Sequence, residues 1–204
     1  MTAIIIPLEF APLTLRSDLE EIITNEQADE QFFELCQANR DLRIERNAKG
    51  EIIFMPPTGT ETGNRNFRVI QQLANWTDAD GTGIGFDSST GFTLPNGAKR
   101  SPDASWIQLS RWQSLTCEQQ IKFAPICPDF VVELRSASDR LSDLQEKMAE
   151  YIQNGSGLGW LIDRTNKKVY IYRSQSQVEC LNNPQTIDAS PDLNGFILNL
   201  GKIW

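Results

Sequence analysis

The first half of the sequence switches between the two periods that distinguish helices from strands. Apolar side chains recur three and four residues apart within Asn25–Ala38, which predicts an amphipathic helix. Leu42–Arg46 then alternates with the period of two that is typical of a strand, and the turn residues Asn47–Gly50 connect it to the apolar run Glu51–Met55. The pattern therefore predicts a helix followed by a β-hairpin.

Beyond the hairpin, the pattern predicts further helical segments and strands. The helical period covers Asn64–Trp76, after a loop at Thr58–Gly63, and Asp139–Gln153. Between them, Ser110–Phe123 is expected to form a short helix or a helical loop. Strand-like runs cover Ile84–Leu94, which is either one strand or a bent pair, and Asp103–Leu109, Phe130–Leu134, Leu158–Asp163, Lys168–Arg173 and Gln177–Leu181. A turn signal at Pro95-Asn96-Gly97 predicts that the first two of these strands form a hairpin. The strand–helix–strand order around the last helix implies a parallel crossover, so the predicted sheet is mixed.

Length and composition fit a single domain spanning residues 1–204. A chain of 204 residues can bury a sizeable core without disulfide or metal staples. Met1–Phe10 lacks both a basic region and a small-residue cleavage site, so we expect neither a signal peptide nor a membrane span, and a cytoplasmic location. The four cysteines are scattered without a Cys-x-x-Cys pair, which argues against a zinc site.

The charged residues narrow the chemistry further. Histidine is absent, which excludes Ser–His and Cys–His nucleophilic pairs and leaves carboxylates, lysine and bound ions for any hydrolytic reaction. The net charge of -8 argues against a nucleic-acid partner, because such proteins usually gather Lys and Arg against phosphate. Divalent ions in a carboxylate site, or a basic face formed by a homodimer, would offset this charge locally.

Two of the predicted strands carry one carboxylate each within an otherwise apolar run, Asp103 and Glu133. A buried carboxylate is costly unless a metal ion or another cation neutralises it. If the strands are neighbours, the two side chains could share one Mg²⁺ or Mn²⁺, with the backbone carbonyl of Leu134 as a further ligand. Alternatively, Asp103 caps a turn and Glu133 pairs with Arg135 or another cation at the sheet edge.

A lysine on the following helix could join these acids. At about 100° per residue, Lys147 lies about 40° from Tyr151, at the margin of the apolar stripe, and can reach towards the sheet. Its ammonium could orient an attacking water and stabilise charge on a phosphate. Two acids on neighbouring strands, with a lysine that reaches them from a helix, are the parts of a metal-dependent site that cleaves phosphodiesters. Alternatively, Lys147 covers the core edge with its methylenes and contacts Asp143 and Tyr151.

Two weaker candidates complete the predicted site. Arg135 stands two residues after Glu133 and could contact a phosphate or balance the glutamate. Glu61, in the predicted loop, could complete a metal shell or make a favourable contact with the helix dipole. Asp129 and Asp163 border apolar strands, where such residues end strands or start turns, and we leave them out of the site.

The motifs that carry these residues resemble a known family. They are Pro102-Asp103, Phe130–Asp139, Lys147 with Tyr151, and Gly155 with Gly159–Asp163. They are similar to those of the bacterial Uma-two family of restriction endonuclease-like proteins, in the PD-(D/E)XK nuclease superfamily. The resemblance spans nearly the whole chain and is most specific in Pro128–Asp163.

This resemblance implies an α/β fold of the restriction-endonuclease-like type, with a mixed β-sheet flanked by α-helices and an extra N-terminal helix and hairpin. It also implies Mg²⁺-dependent hydrolysis of DNA, with Asp103 and Glu133 as metal ligands. The sequence departs from the superfamily pattern at Arg135, where the pattern has lysine, so the catalytic lysine role would fall to Lys147.

Two hypotheses follow. In the first, the chain is a metal-dependent DNA endonuclease in which Asp103 and Glu133 hold the ion and Lys147 positions the water. In the second, it is a catalytically idle nuclease fold that binds DNA or a protein partner. Metal binding distinguishes the two.

Overall fold

The computed structural model describes residues 25–40, 42–55 and 57–204. Met1–Phe10, on which the expectation about a signal peptide rests, lies outside the described residues. The helices of the described part are α1 Asn25–Ala38, α2 Thr60–Asp80, α3 Leu109–Gln113, α4 Cys117–Ile121 and α5 Leu141–Gln153. Its strands are β1 Arg43–Arg46, β2 Ile52–Met55, β3 Gly83–Asp87, β4 Phe92–Thr93, β5 Lys99–Arg100, β6 Ala104–Gln108, β7 Phe130–Leu134, β8 Leu158–Asp163, β9 Lys168–Arg173, β10 Glu179–Asn182, β11 Thr186–Asp188 and β12 Ile197–Asn199.

A six-stranded mixed sheet forms the centre of the molecule, in the order β10-β9-β8-β7-β6-β3. Strands β7 and β8 are parallel, and α5 makes the crossover between them, whereas the other neighbours pair antiparallel. Every residue of β7 is buried, as expected for a strand covered on both faces. The predicted mixed sheet and its parallel crossover are confirmed.

Helices cover both faces of this sheet. On one face, Leu144, Met148 and Tyr151 of α5 pack in a cluster with Val131 and Leu161. On the other face, Val69 and Leu73 of α2 pack with aromatic side chains that include Trp160 and Phe196. Burying each of these large apolar side chains contributes roughly 1.5–3 kcal/mol. Because side chains alternate across a strand, Val131 and Glu133 share the face covered by α5.

A second, four-stranded sheet in the order β2-β1-β5-β4 lies beside the start of β6. It contains the predicted hairpin of β1 and β2, and Arg46 of β1 pairs with Lys99 of β5. The chain then runs from β5 through residues 101–103 directly into β6. The hairpin is thereby attached next to Asp103.

Some boundaries differ from the sequence prediction. Helix α2 begins at Thr60, so the predicted loop Thr58–Gly63 is wrong in its last four residues. Threonine and glycine have low helix propensity, but an ion pair between Glu61 and Arg65, with Nη2 and Oε1 2.5 Å apart, supports the first turn.

The antiparallel pairing predicted between the run Ile84–Leu94 and the strand Asp103–Leu109 is confirmed, because β3 pairs with β6 in the six-stranded sheet. The turn at Pro95-Asn96-Gly97 does not connect these two strands directly, since it joins β4 to β5. The run Ile84–Leu94 is a bent pair because Asp87 ends β3, and its Oδ1 accepts a hydrogen bond from the amide of Ser89 at 3.0 Å. Strands β5, β11 and β12 were not predicted. None of the helices in the described part of the chain is both long and apolar enough to cross a membrane.

Candidate active site

The sheet brings together the two acids that the sequence singled out. Strands β6 and β7 are antiparallel, with Ala104 opposite Val132, and the next step in this register brings Asp103 opposite Glu133. Directly opposed residues of an antiparallel pair share one face of the sheet. The amide of Leu134 donates a hydrogen bond to Oδ2 of Asp103 at 2.8 Å, which holds the aspartate against β7.

Helix α5 directs Lys147 onto Glu133. Lys147 precedes the buried Tyr151 by one turn, so both side chains point towards the sheet. Nζ of Lys147 lies 2.8 Å from Oε1 of Glu133, and the hydroxyl of Tyr151 donates to the same oxygen at 3.1 Å. The glutamate is 3% exposed and the lysine side chain 11%. Lys147 is therefore an inward-facing partner of the acid, rather than a surface residue that contacts Asp143.

A third buried carboxylate, Glu45 of β1, joins this cluster and was missed by the sequence analysis. It is 2% exposed, and Nζ of Lys147 donates to its Oε1 at 2.9 Å. The amide of Ser101 donates to the same oxygen at 3.0 Å, and Nη1 of Arg100 lies 3.1 Å from Oε2. The sequence gives little indication that Glu45 is buried, because alternating charged and apolar residues are typical of a half-exposed strand.

The same strand contributes a cation to Asp103. Arg43 precedes Glu45 by two residues, so the two side chains lie on one face of β1. Nη1 of Arg43 is 3.1 Å from Oδ1 of Asp103, and Nη2 donates to the carbonyl of Ser101. The hairpin thus pairs a cation with Asp103 and an anion with Lys147.

Lys147 lies between two carboxylates whose pKa values are shifted in opposite directions. Burial raises the pKa of Glu133 to about 7; Lys147 opposes this effect, and the charges of Asp103 and Glu45 add to it. Burial also acts to raise the pKa of Glu45, but Lys147, Arg100 and Arg43 outweigh burial and lower this pKa to about 2. Burial would lower the pKa of Lys147, yet its two acidic neighbours raise it. The negative charge least compensated in this cluster is therefore that of Glu133.

Arg135 lies apart from this cluster. It follows the end of β7, and its Nη1 is 3.0 Å from Oδ2 of Asp163, which is fully buried. Nε of Arg135 donates to the carbonyl of Asp139 at 3.2 Å. Arg135 therefore balances Asp163 and not Glu133, contrary to the sequence interpretation. The reason is that β7 ends before Arg135, whose side chain turns towards the end of β8.

Glu61 lies in the first turn of α2 rather than in a loop, and its side chain is 71% exposed. Arg65 and Arg164 both contact it, the latter with Nη1 3.1 Å from Oε2. These hydrogen bonds lower the pKa of Glu61 to about 2, that from Arg65 first. Its carboxylate is therefore shared between two guanidinium groups at the rim of the cleft.

A cleft of about 680 Å³ opens onto these residues. Among the described residues, its charged lining consists of four acids and three bases, which are Glu61, Asp103, Glu133, Asp139, Arg43, Lys147 and Arg164. Hydroxyl side chains that include Thr60, Thr62, Ser136 and Ser138 line part of the remainder. This lining can accept and donate hydrogen bonds to a polar ligand, but by itself it offers no net positive charge.

The donor set of the cleft fits a hard divalent cation. Within the described part of the chain, no group of three or more His, Cys, Asp or Glu is arranged to hold a metal ion. Mg²⁺ usually takes one or two carboxylates and completes its shell with waters and substrate phosphates. Asp103 and Glu133 provide such a pair, and the raised pKa of Glu133 marks a buried negative charge that a cation would stabilise.

Known proteins resemble this chain in sequence pattern and in fold. The family model for Uma2, described as "Putative restriction endonuclease", matches residues 29–201. Among solved structures, the chain is similar to the crystal structure of a "putative nuclease belonging to DUF820" from Anabaena variabilis ATCC 29413, with a TM-score of 0.66 and 18% sequence identity. That similarity covers 78% of this chain and 88% of the other. No curated protein matches the chain. The predicted fold class is confirmed, and the matched range contains all the residues of the cluster.

Proposed function

This chain belongs to the Uma2 family, as the resemblance of its motifs indicated, and from that premise we propose that it is a metal-dependent endonuclease that hydrolyses DNA. The observation that carries the proposal is the cluster in which Asp103, immediately before β6, lies opposite Glu133 of β7, while Lys147 from α5 contacts Glu133. The family description supports a nuclease, and restriction endonucleases act on DNA.

Asp103 and Glu133, with the carbonyl of Leu134, are the residues that would hold Mg²⁺ or Mn²⁺ in this proposal. Such an ion, when bound, polarises a phosphoryl oxygen and lowers the pKa of a coordinated water. Glu61 would join the ion's shell only by giving up its contacts with Arg65 and Arg164. We therefore rank it below the other two acids.

The protein's own contribution is to place charge and hydrogen-bond donors around the scissile phosphate. The ammonium of Lys147, already in the cleft, would stabilise charge that develops on the phosphate and orient the attacking water. The hydroxyl of Tyr151 fixes Glu133 through Oε1. Arg43, which lines the cleft beside Asp103, would approach a neighbouring phosphate. Four acids and three bases line the cleft, so a bound divalent ion would make the charge of the cleft positive. The cleft would then attract the phosphates of DNA despite the net charge of -8 of the whole chain.

A cytoplasmic location and a homodimer, both expected from the sequence, belong to the same proposal. A dimer would place two clefts on one DNA duplex and could combine basic surfaces that one chain lacks. Cell fractionation tests the location, and light scattering of the purified chain tests the oligomeric state.

A catalytically idle DNA-binding or protein-binding module is the second candidate. It is favoured by the pairing of each acid with a base of the chain, Asp103 with Arg43 and Glu133 with Lys147. Such a closed charge network would also serve a purely structural role.

A plasmid-cleavage assay with Mg²⁺ or Mn²⁺ tests the proposal. The native chain should nick or linearise DNA, and Asp103→Asn should not. The matched control is Asp143→Asn, which makes the same change at an exposed position of α5 and should cleave like the native chain. Cleavage by both variants at the native rate would place the activity elsewhere. Cleavage by none of the three proteins, together with DNA binding, would support the idle module.

A further inference from the structure

The β1–β2 hairpin lies outside the six-stranded sheet, yet it contributes a buried acid to the candidate active site. We propose that this acid, Glu45, is a positioning residue that holds the ammonium of Lys147 in its working place within the cleft. The inference rests on the proposed nuclease function and adds a residue that neither the motifs nor the paired acids indicated.

Glu45 is itself held rigidly. Its Oε1 accepts hydrogen bonds from Lys147 and from the amide of Ser101, at 2.9 and 3.0 Å, while Oε2 contacts Arg100. Nε of Arg100 is fixed in turn by Glu150, at 2.6 Å. Both oxygens of the carboxylate are therefore engaged, so the direction from which it contacts the lysine is set by the fold.

Lys147 needs such a partner because its other anchor has a different role in the proposed reaction. Nζ of Lys147 lies between Glu45 and Glu133, at 2.9 and 2.8 Å. If Glu133 is engaged by a cation, its hold on the lysine weakens. A lysine side chain is long and flexible, and loss of its position by about 1 Å can slow a reaction by about 10². Glu45 would keep the ammonium in place while Glu133 is engaged.

The location of Glu45 also separates it from the proposed metal ligands. It enters from β1, whereas Asp103 and Glu133 come from the edge of β6 and from β7. The base on the same face of β1, Arg43, contacts Asp103 instead. The β1–β2 hairpin therefore provides a cation for Asp103 and an anion for Lys147. These two ion pairs explain why the hairpin packs directly beside the cleft.

The test is a double-variant cycle on DNA cleavage with Mg²⁺. Glu45→Gln should lower kcat by about 10- to 100-fold and change KM by less than about 2-fold, because the lysine acts on the reacting phosphate. In the Lys147→Met background, Glu45→Gln should cause no further loss of kcat. The matched control is Glu51→Gln, an exposed acid of the same hairpin, which should retain the native kcat.

A second variant and a second readout guard against misfolding. Glu45→Asp keeps the charge but shortens the side chain, and it should give a smaller loss of kcat, again at a constant KM. In thermal unfolding of the metal-free proteins, Glu45→Gln and Lys147→Met should be non-additive, because the residues are in contact.

Three results would overturn the proposal. These are native kcat in both Glu45 variants, equal losses of kcat with and without Lys147, or additive effects on unfolding. If the native chain cleaves no DNA, the nuclease function fails and the positioning role fails with it, whereas an active native chain with fully active Glu45 variants excludes the positioning role alone.

Discussion

Replacing Glu133 by glutamine tests whether the ionised carboxylate of Glu133, because it is buried, destabilises the metal-free protein. Burial, opposed by Lys147 and reinforced by Asp103, raises the pKa of Glu133 from its ordinary value of 4.5 to about 7. This difference corresponds to about 3 kcal/mol. Because the folded-state pKa is raised, the protonated acid contributes stability that is fully present below pH 4.5 and is lost as the pH rises through 7.

Glu133→Gln removes the ionisable carboxyl group but keeps a side-chain oxygen that can accept a hydrogen bond from the hydroxyl of Tyr151. In this variant, Lys147 still has Glu45 as its charged partner. Without metal, the variant should therefore become more stable than the native chain as the pH rises from 4.5 towards 8. The gain should reach up to about 3 kcal/mol, or roughly 6–12 °C in Tm for a chain of this size.

Thermal unfolding of both proteins in EDTA, at several pH values between 4 and 8, measures this gain. Glu146→Gln, on the exposed side of α5, is the control and should stay within about 0.5 kcal/mol of the native chain. A stability difference that does not change with pH, or a variant that is less stable than the native chain at pH 8, would refute the reasoning. Adding Mn²⁺ at pH 8 should stabilise the native chain and not the glutamine variant.

Three further predictions concern the other charged side chains. Asp103→Asn should change the metal-free stability by less than about 1 kcal/mol, since the amide oxygen can still accept a hydrogen bond, and should abolish the Tm increase caused by Mn²⁺; a large loss without metal would indicate a structural aspartate. Lys147→Ala should slow cleavage by about 10² or more with little change in DNA binding, and Lys147→Arg should rescue poorly because a planar guanidinium does not fit between two carboxylates; equal cleavage by native and alanine proteins would contradict this. Arg135→Met should cost about 3 kcal/mol in unfolding free energy, because Asp163 is left buried without its cation, and a change in cleavage with no change in stability would return Arg135 to the site.

Strong periodic patterns made several elements predictable from the sequence. Asn25–Ala38 is a helix with the predicted bounds, and the segments Phe130–Leu134 and Leu158–Asp163 form the predicted strands on either side of α5. The position of Lys147 at the edge of the apolar stripe indicated that it could reach the sheet, and its contact with Glu133 agrees with this. These features depend on local spacing, which the sequence contains directly.

Other features depend on how separate elements dock. Glu45 and Arg43 have the pattern of a half-exposed strand, and only the packing of the hairpin beside β6 turns them inward. The end of β7 directs Arg135 to Asp163, although its spacing from Glu133 suggested a shared partner. Helix α2 takes in Glu61, although the threonines and the glycine of its first turn have low helix propensity.

The sequence by itself determined the order of most of the helices and strands, the mixed character of the sheet and two of the acids that need an explanation, Asp103 and Glu133. Each follows from the period of apolar side chains or from the cost of placing a charge in an apolar strand. The tertiary structure alone decided which charges meet. Contacts such as that between Glu45 and Lys147 join residues 102 positions apart, and their geometry depends on docked backbones, which no local pattern encodes. For the same reason, the opposite pKa shifts of Glu45 and Glu133 become visible only when the two acids surround one lysine.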